Sequence, residues 1–140
     1  DGQWLCSADD KQRLHIFHLD TLKYHSSPPK LGAPSTAMAF HPTTDTLVIA
    51  LANNRIFLYD LIRKQLSAWS RDHSHALPSV LTSKQDKIVS ICFDPKRPSL
   101  VLLQSHSFLC VIDLDKPVPT DDELIAFHKA QKKAKWKVNK

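Results

Sequence analysis

The sequence is poor in glycine, poor in cysteine and without a long apolar run. Its two glycines, Gly2 and Gly32, stand thirty residues apart. A dinucleotide fingerprint or a phosphate loop needs several clustered glycines so that backbone can approach phosphate, and neither motif is present. No strand–G-x-S-x-G–helix element exists to expose an activated serine, so a hydrolase of that kind is unsupported. The three cysteines, Cys6, Cys92 and Cys110, form no C-x-x-C pair and are too few for a disulfide framework, which fits a reducing compartment. Apolar runs such as Leu47–Leu51 and Leu100–Leu103 fall far below the ~18 residues of a membrane-crossing helix, so no membrane partner is expected. Asp1-Gly2-Gln3-Trp4 has neither an initiator Met nor the basic-then-apolar plan of a secretory leader, and reads as the interior of a longer chain.

What is present is an ordinary globular mixture in 140 residues, 42% hydrophobic and 24% charged, enough for one domain. The net charge of +5 is unevenly placed. Lys129, Lys132, Lys133, Lys135, Lys137 and Lys140 follow the last acid, Glu123, and everything up to Glu123 carries −1. The body is neutral and the tail is basic.

Short runs rich in Val, Ile, Phe and Leu alternate with clusters of Pro, Asn, Asp, Ser and Thr, the rhythm of strands and turns. The expected strands are Trp4–Ala8, Arg13–His18, Thr36–Phe40, Thr46–Ala50, Arg55–Tyr59, Gln65–Trp69, Ile88–Phe93, Leu100–Gln104 and Ser107–Ile112. Helix is expected only within Thr120–Lys137, where Asp121, Asp122 and Glu123 suit the first turn and the lysines the last.

One segment recurs. Ile16-Phe17-His18-Leu19-Asp20 matches Ile56-Phe57-Leu58-Tyr59-Asp60, and Leu109-Cys110-Val111-Ile112-Asp113 has the same plan, an apolar strand closed by Asp20, Asp60 or Asp113. The intervals between those aspartates are 40 and 53 residues. A second marker, Phe40-His41-Pro42, returns as Phe93-Asp94-Pro95 after the same 53. Repeats of ~40–45 residues with four strands each suggest an all-β, WD40-type β-propeller, here incomplete, with His73–Lys87 as one long loop. About two full four-stranded blades plus partial blades would occupy residues 1–119, followed by a helical or disordered basic linker over 120–140 that leads into a truncated strand. A generic β-sandwich is the alternative. Few glycines are no obstacle, because Asn53-Asn54 and Asp9-Asp10 tolerate left-handed angles.

These segments carry a family resemblance. Ala37-Met38-Ala39-Phe40, Thr46–Ala50 with Asn53-Asn54-Arg55-Ile56-Phe57, Trp69-Ser70-Arg71, Ile91–Pro98 and Phe108–Pro119 resemble the carboxy-terminal WD repeats of the cirhin family. The resemblance implies a non-enzymatic scaffold of ribosome biogenesis, a nucleolar subunit of the small-subunit processome acting in ribosomal RNA transcription and processing. Other processome subunits would be its partners, with pre-ribosomal RNA or a guide-RNA particle as further ones. Two propellers in tandem characterise that family, so this chain would supply part of the second.

The remaining candidates are contact residues. His15 and His18 are H-x-x-H, but on a strand they point to opposite faces, and His73 and His75 lack further ligands, so no metal or other cofactor is expected. Lys96 and Arg97 form a basic spot on a turn, suited to a partner acid or to RNA phosphate. Lys129, Lys132, Lys133, Lys135 and Lys137, with Trp136 among them, have the composition of an RNA-binding tail, and equally that of a solvated linker. Trp69, placed on an outer strand, suits blade packing or a protein-contact anchor. A direct RNA-binding module and a WD-repeat adaptor of an unrelated complex stand as the alternatives to a processome scaffold.

Overall fold

The computed structural model describes residues 3–74, 77–119, 121–126 and 129–130. These fold as antiparallel β-sheets with a few short helices. The first sheet holds β1 (Trp4–Ala8), β2 (Leu14–His18) and β3 (Tyr24–Ser26). The second holds β4 (Ser35–Phe40), β5 (Thr46–Leu51), β6 (Ile56–Asp60) and β7 (Gln65–Leu66), in that order. After α1 (Ala68–His73) and α2 (Ser79–Thr82), the third sheet holds β8 (Ser90–Phe93), β9 (Leu100–Gln104) and β10 (Leu109–Asp113). Each strand pairs with the next along the chain, so short turns suffice for almost every connection within a sheet.

The sheets stack face to face, and the middle one is buried on both sides. On β5 the side chains of Leu47, Ile49 and Leu51 turn to one core with Leu14 and Ile16 of the first sheet. Val48 and Ala50 turn to the other, with Val101 and Leu103 of the third. Alternation of side chains along a strand forces this division, and burial of both faces explains why β5 reads as a continuous apolar run. Each fully buried Leu or Ile contributes about 1.5–3 kcal/mol.

Equivalent hydrogen bonds stand at the open end of one hairpin in each of the three sheets. Leu19 N–H donates to the Gln3 carbonyl, Leu61 N–H to that of Asp45 and Leu114 N–H to that of Ser99, at 2.9, 2.9 and 2.8 Å. By this register His18, the last residue of β2, stands level with Asp60 and Asp113. Asp20, expected there from the sequence match, lies two residues further on in an exposed turn. The matched letters had hidden a two-residue offset, because the buried positions keep the same parity after a shift of two.

Other expectations are corrected at the strand edges. Gln65–Trp69 forms only the two residues of β7, after which the chain turns into α1. Helix therefore occurs mid-chain as well as at residues 121–126, and α2 lies within the long loop. The reason for α1 is visible in its serines. Leu58 N–H donates to Ser70 Oγ at 2.5 Å and Ser74 Oγ donates to the Ile56 carbonyl at 2.6 Å, so hydroxyls satisfy backbone groups of β6 that a longer β7 would have paired. Ser67 accepts from Ser70 N–H as N-cap of the same helix. Strand β3 was not expected, since three residues are too few to show a period.

Left-handed backbone falls on Gln12, Leu22, Asn54 and Lys64, with φ of 64°, 54°, 61° and 56°. Asn54 meets the sequence expectation. In the first hairpin Gln12 takes the role expected of Asp9-Asp10, while Asp9 holds the turn by accepting the N–H groups of Lys11 and Arg13.

Candidate interaction surface

The recurring Phe-x-Pro marker has a physical meaning at the turns that follow β4 and β8. After Phe93, Asp94 Oδ1 accepts the N–H groups of Lys96 and Arg97 at 2.9 and 3.3 Å. After Phe40, His41 Nδ1 accepts those of Thr43 and Thr44 at 3.2 and 3.1 Å. One side-chain acceptor thus closes each turn, and Pro42 or Pro95 presets the backbone angle beside it. His41 does more, because its Nε2 lies 2.9 Å from the Pro98 carbonyl of the third sheet. Its ring also meets Phe93 edge-on at a centroid distance of 5.1 Å.

Grooves flank this turn on both sides. One of about 150 Å³ is lined by Trp4, Phe40, His41, Asp45 and Leu61, between the first and second sheets. Another of about 410 Å³ is lined by His41, Thr44, Leu58, Pro98, Leu114 and Asp115, between the second and third. Trp4 meets His18 at a tilt and His25 edge-on, at centroid distances of 4.1 and 4.6 Å. His25 Nε2 lies 2.7 Å from the Leu61 carbonyl and so bridges the first sheet to the second. Sequence reading passed over His25 and the bridging role of His41, since each acts on a residue of another sheet.

Lys96 and Arg97 share the exposed turn between β8 and β9, as the sequence suggested. Arg97 Nη2 stands 3.9 Å from Asp113 Oδ2 with the arginine side chain 62% exposed, an ion pair of small energetic weight. Phe40 and Phe93 close β4 and β8, and Asp60 and Asp113 accept backbone N–H groups of the turns after β6 and β10. Trp69 is not on an outer strand. It lies on α1, partly buried against the core between the second and third sheets, and its Nε1 has no acceptor among the described residues. Lys129 is described and exposed, whereas Lys132, Lys133, Lys135 and Lys137 lie outside the described residues. Among the described residues no group of three His, Cys, Asp or Glu side chains is placed to hold a metal ion. His15 instead meets Asp9 Oδ2 at 3.0 Å.

This arrangement offers turns, grooves and exposed edges, and sequence similarity extends over most of the chain that builds it. The chain is 34% identical over 126 residues to the U3 small nucleolar RNA-associated protein 4 homolog of Homo sapiens. It resembles U3 small nucleolar RNA-associated protein 4. The Mus musculus homolog is 32% identical over 126 residues, and the Schizosaccharomyces pombe protein 30% over 120. These alignments cover 89%, 89% and 85% of this chain but 18%, 18% and 17% of the relatives, so the chain spans less than a fifth of their length. No family model matches. Among solved structures the chain superposes on the computationally designed Ika8 protein with a TM-score of 0.57 at 16% identity, over 81% of this chain and 31% of that one. With the designed Ika4 protein the TM-score is 0.59 at 17% identity, over 81% and 62%. Likeness at such identity concerns the fold alone.

Proposed function

We propose that the chain is part of a WD-type β-propeller subunit of the small-subunit processome, a non-enzymatic scaffold working in the nucleolus in ribosomal RNA production. The observation that carries this reading is the identity with U3 small nucleolar RNA-associated protein 4 across nearly the whole chain, in agreement with the cirhin-like motifs. The stacking supports the propeller. The second sheet turns the face of Val48 and Leu58 to the third, and the first turns the register-equivalent face of Cys6 and Ile16 to the second. Successive blades of a ring repeat one such direction. Residues 1–119 would be the blade part and 120–140 a linker.

On this reading the partners are other processome subunits, held by turns and grooves in preference to any reactive group, with Lys96 and Arg97 available to a partner acid or RNA phosphate. A tagged copy of the protein carrying this segment, purified from cells, is expected to enrich U3 small nucleolar RNA and processome subunits, and its depletion to lower 18S ribosomal RNA. Enrichment of an unrelated complex, with 18S levels unchanged, would overturn the assignment.

A further inference from the structure

Both grooves beside the His41 turn carry a carboxylate and no cation. Asp45 is the charged group of the first and Asp115 of the second, and neither lining includes a lysine or an arginine. His41, the remaining titratable lining group, accepts the Thr43 and Thr44 N–H groups at Nδ1 and so brings no charge. Asp45 holds the Trp4 Nε1–H at 3.4 Å, and neither Asp45 nor Asp115 has an ion-pair partner among the described residues. On the other turns of this end Arg63 and Arg97 are paired with Asp60 and Asp113. Lys23, Lys64, Lys96 and Lys116 stand exposed outside both linings.

The grooves repeat each other one sheet apart. Leu61 lies in the first and Leu114 in the second, the residues whose N–H groups meet the equivalent carbonyls of Asp45 and Ser99. Beside these leucines the apolar walls are Trp4 and Phe40 in one groove, Leu58 and Pro98 in the other. A carboxylate at the rim of such a wall suits arginine or lysine, whose aliphatic stem covers apolar surface while the head meets the acid and, in the first groove, an indole. Phosphate is repelled there, and a purely apolar side chain would desolvate the carboxylate without pairing it. Stacked sheets lie ~10 Å apart. In an extended polyproline-type segment, side chains three residues apart fall on one side, separated by three rises of ~3.1 Å, so they match that step. The exposed Thr43 and Thr44 line both grooves and form the ridge between them.

We propose that the grooves on either side of the His41 turn bind an extended basic segment of a partner protein, one arginine or lysine meeting Asp45 and another, three residues away, meeting Asp115. That the segment belongs to a fellow subunit rests on the processome reading, whereas the pairing of carboxylates with apolar walls stands apart from it. This surface takes cations, unlike the Lys96–Arg97 turn and the lysine tail.

The test titrates the 140-residue chain, followed by amide NMR, with a peptide carrying Arg-Pro-Pro-Arg, a reordered peptide carrying Arg-Arg-Pro-Pro, and an oligouridylate. Asp45→Asn and Asp115→Asn keep side-chain size and, at residue 45, an acceptor for Trp4. Asp20→Asn, at an exposed turn carboxylate outside both grooves, is the charge-matched control, and circular dichroism checks that each variant folds. Shift changes are expected at Trp4, Thr43, Thr44, Asp45, Leu114 and Asp115. Each groove variant should weaken Arg-Pro-Pro-Arg binding about threefold, the double variant about tenfold and Asp20→Asn less than about twofold, with the reordered peptide about threefold weaker on the unaltered chain. The comparison of peptides stands whichever variants fold. Absence of shifts at the two grooves, equal loss from Asp20→Asn, equal affinity for the reordered peptide or preference for the oligouridylate would each overturn the proposal. Failure here with U3 RNA still co-purifying removes only this surface. Peptide binding here without such co-purification removes only the processome reading.

Discussion

His41 and Pro98 join the second sheet to the third through one imidazole whose tautomer the surroundings dictate. The N–H groups of Thr43 and Thr44 point at Nδ1, so that nitrogen carries no proton and Nε2–H donates to the Pro98 carbonyl at 2.9 Å. One side chain therefore closes its own turn and fastens it to the next sheet.

Replacing it separates those tasks. His41→Ala removes both and is expected to destabilise the chain by about 1–3 kcal/mol in urea unfolding. His41→Asp restores a turn acceptor of the kind Asp94 supplies but not the bridge, and should recover part of that loss. Equal destabilisation by both variants would mean the turn contact has no weight of its own.

Asn54 joins the middle sheet to the α2 loop. Fully buried, it donates to the Leu81, Lys84 and Asp86 carbonyls, accepts the Ile88 N–H at 3.2 Å and adopts φ of 61°. Asn54→Ala loses these bonds and strains the backbone, and should cost about 3 kcal/mol or more. Asn54→Gly relieves only the strain and should fall between. Hydrogen exchange is expected to rise first over residues 81–88; a uniform rise would contradict the local anchoring.

Acid sensitivity has a located source. Asp9 is held at about 2, below its ordinary 3.8, first by the backbone N–H of Arg13 and then by the His15 side chain. A carboxylate lowered on folding contributes above its ordinary value and loses that contribution as pH falls from about 4 to about 2. Asp9→Asn should narrow the stability difference between pH 7 and pH 2, by a small amount because the site is exposed. An unchanged acid limb in the variant would exclude this source.

The cysteines should label in a fixed order. Cys92 is exposed, while burial pushes the Cys6 thiol up to about 11 and raises that of Cys110. A thiol-reactive dye at pH 8 is expected to modify Cys92 first, with Cys6 and Cys110 following on unfolding. Early modification of Cys6 would show that the first and second sheets separate readily.

Much of the fold was legible because a strand buried on both faces leaves an unbroken apolar run, as at Leu47–Leu51, and because Phe-x-Pro and strand-closing Asp mark turns through local hydrogen bonds. Legibility failed where the partner was remote. Trp69 reads as strand by composition, yet Ser67, Ser70 and Ser74 draw that segment into a helix by completing the backbone of β6. Asp20 matched by letters and missed by two residues, since periodicity constrains parity and not register.

The amino-acid order alone determined the β character, the repeating turns and the basic bias of the tail, because all three depend on neighbours a few residues apart. Only the tertiary structure decided which face of each sheet meets the next, and that His41, Asn54 and His25 act as ties between distant segments. Those outcomes arise from packing one sheet on the next, which brings together residues dozens of positions apart, and no local stretch of sequence carries that information.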